Sequence, residues 1–401
     1  MAFRESLSRR KFLSGSALAL TPMAFNRFDL PASMVAAAQS TTIIKRKLGK
    51  TDIEIPIVSM GVMNADNPAV VQESYKLGIR FFDTARGYQN GNNEKMVGDV
   101  INSLGARNQV YIQTKARLPQ GMTIKSSTPE QRKKGVLDEL DKSLAALQMN
   151  YVDIFLMHSP TIDEMTDPGI KEALVEMKKL KKARYVGVSH HQGMANVLDV
   201  AVKEGIYDTA TISCNFTMAQ DTALFNSIKN AAKAGLGVIA MKTQATGRGQ
   251  TGNVNQTAAL KWVLNHPEIT SAIPGYTNFD HMKEDFSVAF SLDYNSEEKK
   301  FLAEKNLQAL VQFCQQCETC RPTCPNGVDI PTLMRTHMYA AKYGNFVHAR
   351  ATLDEIAADA SLKNCANCSE CGARCANYVS IANNIRDLKT MYLYTPNGHK
   401  L

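Results

Sequence analysis

The sequence predicts an α/β protein in two parts: a (β/α)8 barrel, then a small and mainly helical module. Three observations predict it. Short apolar runs alternate with amphipathic helical patterns eight times between residues 57 and 273. The turn after the first run, Met60-Gly61-Val62-Met63-Asn64, is not the glycine-rich phosphate turn that a doubly wound sheet would want. A cysteine box is duplicated in the last hundred residues.

The chain opens with Ser8-Arg9-Arg10-Lys11-Phe12-Leu13, then small apolar residues from Ser16 to Met23, then Met34 through Ala36-Ala37-Ala38. A basic start, a modest apolar middle and a small-residue exit are the layout of a signal peptide. The paired arginines before Phe12 match the twin-arginine type, whose route carries proteins already folded. Residues 1–38 are therefore expected to be a twin-arginine signal peptide, and the mature protein to be periplasmic or otherwise extracytoplasmic. No later run approaches the ~20 apolar residues of a membrane span.

The barrel is expected over residues 39–300. Residues 41–56, with Gly49-Lys50-Thr51-Asp52 between extended runs, predict a hairpin placed to cap the barrel floor. The eight strands are expected at Ile57–Met60, Ile79–Phe82, Val110–Thr114, Tyr151–Met157, Tyr185–Ser189, Thr209–Cys214, Gly237–Met241 and Thr270–Ile273. Between them, Thr128-Pro129-Glu130 reads as a helix cap with proline in the first turn, and Leu137, Leu140, Leu144 and Leu147 form one stripe behind it. Lys171–Lys182 repeats the pattern with Leu174, Met177 and Leu180. Eight strands alternating with helices over ~250 residues make a TIM barrel, whose chemistry sits at the strands' C-terminal ends.

Four polar residues fall at those ends: Asp83 and Tyr88 after the second strand, Lys115 after the third, His158 after the fourth. Alone, each has a plain structural explanation. Together they make a proton-transfer group. A phenol near pKa 10 gives up its proton at neutral pH only if the anion is stabilised. An ammonium against its oxygen, here Lys115 held by Asp83, is expected to lower the Tyr88 pKa, while neutral His158 orients a carbonyl.

Arg46-Lys47-Leu48-Gly49-Lys50-Thr51, Phe81 through Tyr88, Gln113-Thr114-Lys115, Met157-His158-Ser159-Pro160, Gly187-Val188-Ser189 and Ile273-Pro274-Gly275 resemble the aldo-keto reductase family, in that order. The resemblance implies NAD(P)-dependent carbonyl reduction, with Tyr88, Asp83, Lys115 and His158 as the catalytic tetrad. It also implies cofactor contacts from Ser189, His190, Met241, Gly275, Glu284 and Asp285. Several of these depart from the family. His190 stands for an asparagine, Thr211 for a glutamine, and Met241 for an aromatic that stacks on nicotinamide. Gly275 and His281 stand where lysine and arginine grip a 2′-phosphate. Phosphate recognition needs such cations, so NAD(H) is expected in preference to NADP(H).

Cys314, Cys317, Cys320 and Cys324-Pro325 form C-x2-C-x2-C-x3-C-P, and Cys365, Cys368, Cys371 and Cys375 repeat the spacing. Asn326, Val328, Ile330 and Arg335 recur as Asn377, Val379, Ile381 and Arg386. This is the pattern of two 4Fe-4S clusters, in which the fourth cysteine of each run serves the other cluster. Cys314, Cys317, Cys320 and Cys375 are assigned to one cluster, and Cys365, Cys368, Cys371 and Cys324 to the other. Zinc would use two close pairs. Helical stretches at Pro331–Lys342 and Phe346–Ala358 make residues 301–401 resemble an α-helical ferredoxin-type domain. Cys214, within a strand, reads as a buried apolar residue.

The clusters also settle the meaning of the charge. The chain carries a formal +8. Residues 1–38 hold five cations against two acids, and two four-thiolate clusters add roughly −2 each, so the mature holoprotein is near neutral. Nucleic acid is not an expected partner, for no basic stripe with interleaved aromatics is present. The expected function is an exported oxidoreductase that interconverts a carbonyl and an alcohol of a small compound, which the sequence does not identify, a sugar-like one among the options. Its electrons would pass through the clusters to or from a redox protein. Clusters pass single electrons and nicotinamide passes hydride. A flavin, which splits the pair, therefore stays open as a cofactor although no flavin site is recognisable. The alternative is an electron-transfer protein whose barrel is a docking scaffold with a vestigial or non-nicotinamide site.

Overall fold

The computed structural model describes residues 42–245, 254–305, 307, 311–365, 368 and 370–391. The expected signal peptide lies outside them, as do residues 246–253. Among the described residues no helix is long and apolar enough to cross a membrane.

An antiparallel hairpin, β1 (Lys45–Lys47) and β2 (Glu54–Pro56), precedes eight parallel strands. These are β3 (Met60–Gly61), β4 (Phe81–Asp83), β5 (Tyr111–Ala116), β6 (Val152–His158), β7 (Ala183–His190), β8 (Thr209–Ser213), β9 (Gly237–Met241) and β10 (Ile269–Ala272), each hydrogen-bonded to the next in sequence. β3 is shorter than expected because residues before it turn to the other neighbour. Val58 bridges Ala272, Ser59 N donates to Ala272 O at 2.9 Å, and Gly61 N donates to Pro274 O at 3.0 Å. Those bonds draw the first and last strands together at the seam.

The hairpin plugs the floor, as the sequence suggested. Leu48, Ile53 and Ile55 pack with Phe81, Ile154, Leu156 and Ile239 in an inner apolar cluster. Gly49 is required at its turn. Its φ is +54°, and a Cβ there would lie 2.4 Å from Gly235 O.

The outer helices follow their caps. Thr128 and Gln131 form a reciprocal capping box on the helix Pro129–Leu147. The next expected helix starts earlier, at Pro168–Lys179, because the Asp167 carboxylate caps it by accepting from Ile170 N. Leu180 therefore falls past its end and is exposed, whereas Leu174 and Met177 are buried. Cys214 is fully buried.

The module consists of the helices Ile330–His337, Phe346–Leu353 and Ile381–Thr390, with a π-helical turn Met338–Lys342 after the first. Its Phe313, Leu333 and Leu388 belong to the same continuous apolar core as the barrel's helical shell. It sits over the C-terminal ends of the barrel strands. Gln192 donates to Gln316 Oε1 at 3.1 Å, Gln315 to Thr217 O at 2.5 Å, and Asn345 to Asn64 Oδ1 at 2.8 Å.

Candidate active site

β4 ends at Asp83, β5 carries Lys115 one residue before its end, and β6 ends at His158. Tyr88 opens a short turn, Tyr88–Gly91, whose Gln89 and Asn90 take the left-handed region (φ 50° and 56°). The barrel thus brings the four sequence-predicted residues to one end. Lys115 Nζ donates to both Asp83 oxygens at 2.7 Å and to Thr84 O at 3.0 Å. Gln113, two residues earlier on β5, donates to Asp83 Oδ1 at 2.7 Å and to Thr211 Oγ1 at 3.1 Å. The Tyr88 ring lies 4.9 Å from Lys115 Nζ and edge-on to His158, with centroids 6.0 Å apart.

One expectation needs correction. Tyr88 is not made acidic by Lys115. Its pKa stands well above the usual phenol value, first because it is buried and second because Asp83 is close; Arg117 works the other way. The reason is geometric, since all three Lys115 N–H groups have acceptors on Asp83 and Thr84. His158 is held neutral by burial, with Arg117 and Lys115 adding to the effect.

The site is completed by residues that no sequence pattern announced. His348, from the module helix Phe346–Leu353, packs edge-on against Tyr88 with centroids 5.4 Å apart, on Tyr339 at 4.3 Å. Glu355 accepts from Arg117 of the barrel at 2.7 Å and from Arg335 of the module. Tyr88 is consequently only 6% exposed. The duplicated Arg335/Arg386 pair was legible, but Arg335's partner lies twenty residues away on a different turn, and His348 carried no signal at all.

A cleft of about 180 Å3 reaches Asp83 and Tyr88. Of the expected cofactor residues, Met241 and Gly275 line it, as does His281. Ser189 is buried beside His158 in register, and its hydroxyl has no hydrogen-bond partner. Such an orphaned donor fits a polar group bound at the end of β7, as a nicotinamide carboxamide would be. His190 does not line the cleft, and its Nδ1 accepts from Gln192 N at 2.9 Å. Asp285 is buried and takes a 2.5 Å bond from Gln244, which lines the cleft, while Glu284 is exposed. From the module, Tyr339, Lys342 and Tyr343 lean into the same space.

The eight box cysteines gather in the two predicted sets. Cys324, Cys365, Cys368 and Cys371 line one cavity of about 430 Å3. Cys320 and Cys375 lie close enough to Cys314, and Cys375 and Cys317 to Cys320, to add to the burial that raises the Cys314 and Cys320 thiol pKa values. The repeated asparagines have matching tasks. Asn326 donates to Cys368 Sγ at 2.9 Å and Asn377 to Cys317 Sγ at 3.5 Å, each reaching into the other repeat. Among the described residues, no three His, Cys, Asp or Glu side chains are close enough to hold a single metal ion. Sulfurs spread around a cavity fit a four-iron cluster better than one zinc at ~2.3 Å from each ligand.

Residues 60–258 match the aldo/keto reductase family and residues 313–380 the 4Fe-4S dicluster domain. The chain is 29% identical to L-galactose dehydrogenase of Arabidopsis thaliana over 252 residues, 58% of this chain and 73% of that protein. It is 30% identical over 179 residues to the uncharacterized oxidoreductase YqkF of Bacillus subtilis, 41% of this chain and 57% of that protein. The chain thus spans only part of the length of these curated relatives. Among solved structures, an aldo-keto reductase from Bacillus halodurans in its holo form has a TM-score of 0.55 at 22% identity, over 65% of this chain and 95% of that one. One from Klebsiella pneumoniae, in complex with NADPH, has a TM-score of 0.52 at 19% identity, over 65% and 94%. At these identities the structures speak for the fold alone. The barrel carries an aldo/keto reductase domain and the module a 4Fe-4S dicluster domain.

Proposed function

We propose that this aldo/keto reductase barrel, roofed by its dicluster module, interconverts a carbonyl and an alcohol and exchanges electrons through the two clusters with a redox partner. One observation carries the proposal. The enclosed Asp83–Lys115–Tyr88–His158 group lies under the module, and His191 and Lys242 line both its cleft and a second cavity that reaches Cys314.

Each side chain has a task. Neutral His158 donates to the carbonyl oxygen and orients it. Tyr88 keeps its proton because burial raises its pKa, and releases it to the developing alkoxide. The phenolate so formed faces the Lys115 ammonium 4.9 Å from its ring, and Asp83 keeps that ammonium in place. The module excludes water, which strengthens these interactions. A nicotinamide held beside Ser189 and Met241 would supply or accept hydride. Gly275 and His281, in place of cations, favour NAD(H). Small carbonyl or sugar-like substrates are supported by relatives such as L-galactose dehydrogenase and the NADH-specific methylglyoxal reductase of Escherichia coli, 27% identical over 174 residues. Twin-arginine export to the periplasm is supported by the Ser8–Leu13 stretch and by clusters that must be inserted before export.

Depth of burial favours a second reading, because Tyr88 is only 6% exposed beneath the module. In that reading the barrel is a scaffold and the module alone passes electrons. Tyr88→Phe in the purified holoprotein separates the two. The enzyme loses roughly 10²-fold or more of its methylglyoxal or sugar turnover with unchanged cluster spectra; absence of turnover in both the wild type and the variant selects the scaffold. Acid extraction, assayed for NAD, NADP and flavin beside iron and sulfide, identifies the hydride carrier.

A further inference from the structure

The chamber around Tyr88 holds more positive charge than its carboxylates balance. Asp83 is taken by Lys115, and Glu355 is shared by Arg117 and Arg335. That leaves Lys242. It follows β9 with a left-handed backbone (φ 56°), and its carbonyl is tied down by Asn215 Nδ2 at 3.1 Å. Its ammonium lies over the Tyr339 ring at 4.5 Å and the Tyr343 ring at 4.9 Å. Both belong to the module, so barrel and module together form the seat. No carboxylate and no hydrogen-bond acceptor meets Lys242 Nζ among the described residues.

The neighbours supply no negative charge. His158, His191 and His348 are kept neutral by burial, and nearby cations add to it: Lys242 for His191 and His348, and Arg335 for all three. An ammonium buried beside a cleft with no counter-ion is costly, and burial accordingly lowers the Lys242 pKa to about 7, with Arg335 and Lys115 adding to the effect. The cost is removed when an anion binds. Lys242 lines the same cleft as Asp83 and Tyr88, so that anion would be part of the reacting molecule.

We infer that Lys242, backed by Tyr339 and Tyr343, is a carboxylate subsite, and that the substrate is a small carbonyl or hydroxy compound bearing an acid group. This rests on the reading of the site as a carbonyl–alcohol oxidoreductase. A lone ammonium is a point charge matched to one carboxylate, unlike the guanidinium forks that grip phosphate in two places.

The test uses the holoprotein with pyruvate and hydroxyacetone, two probes of similar size that differ in charge. Titration calorimetry on the wild type is expected to show pyruvate binding roughly tenfold or more tighter, the scale of one charge-assisted hydrogen bond. Lys242→Met is expected to erase the preference, and Lys242→Arg to retain it, with iron content unchanged in both. Equal binding, no binding of either probe, or a preference that survives Lys242→Met overturns the inference. So does a Lys242→Met effect confined to retained dinucleotide or to cluster potential, since the dinucleotide's diphosphate and the thiolate-bound cluster are the other anions this lysine could serve. Tyr88→Phe keeps the outcomes separable. It should cut turnover roughly 10²-fold or more and leave the pyruvate preference intact; if the wild type shows no turnover while the preference stands, the enzyme reading falls and the carboxylate subsite does not.

Discussion

Neutralising Asp83 tests whether the buried ion pair at the barrel's end is held by its partner or merely tolerated. Lys115 is 1% exposed and Asp83 3%. Their two 2.7 Å contacts, with the 3.0 Å bond to Thr84 O, use every proton of the ammonium. Asp83→Asn keeps the shape and one acceptor oxygen but leaves an ammonium with no counter-charge. Breaking a buried pair from one side costs about 3–5 kcal/mol. For a fold of this size each kcal/mol moves the thermal midpoint by roughly 2 °C, so a drop of roughly 6–10 °C is expected. Lys115→Met leaves Asp83 with only Gln113 and should cost a similar amount. The double variant removes both charges and should be more stable than either single variant. The assay is the apparent midpoint of the anaerobic holoprotein at one scan rate, followed by far-UV circular dichroism and by Trp262 fluorescence. Singles that shift by less than about 2 °C, or a double variant whose loss equals the sum of the two, would refute the argument that the pair is enforced by desolvation.

Other outcomes follow from the same geometry. Cys324→Ser and Cys375→Ser should each halve bound iron and sulfide, and Cys324→Ser should spare the cluster beside Asn377 while Cys375→Ser spares the one beside Asn326; loss of the opposite cluster would show the ligand sets are wrongly drawn. Glu355→Gln leaves Arg335, 7% exposed, without a carboxylate and should cost about 1.5–3 kcal/mol, read as a lower midpoint and faster amide exchange over residues 346–353. Arg117, 41% exposed, should contribute little of that, so Arg117→Gln is expected to be milder. Burial lowers His190 to about 4 and His348 to about 3, so the unfolded chain binds protons that the fold refuses. Stability from these two is complete above about pH 6.5 and is lost as pH falls toward those values, by roughly 1–2 kcal/mol each at pH 5; His348→Gln should flatten the midpoint's decline between pH 6.5 and 5, and an unchanged slope would show that His348 is not held neutral.

Local pattern sufficed for much of this protein. Strands of the barrel were legible because their apolar runs and helix caps, such as Thr128 with Gln131, depend on neighbours a few residues away. The cluster ligands were legible because their spacing is itself the chemistry, and the repeated Asn326 and Asn377 belong to it. Asp83, Lys115, Tyr88 and His158 could be named because barrel topology carries successive strand ends to one face. Their electrostatics could not. Whether Lys115 spends its protons on Tyr88 or on Asp83 and Thr84 depends on contacts between separate strands, and burial by the module sets the direction of the Tyr88 pKa. The roof itself, with His348 on Tyr88, Glu355 between Arg117 and Arg335, and Tyr339 and Tyr343 beneath Lys242, joins residues far apart in the chain. No periodicity encodes such pairings, because they arise only when two separately patterned parts close over one core.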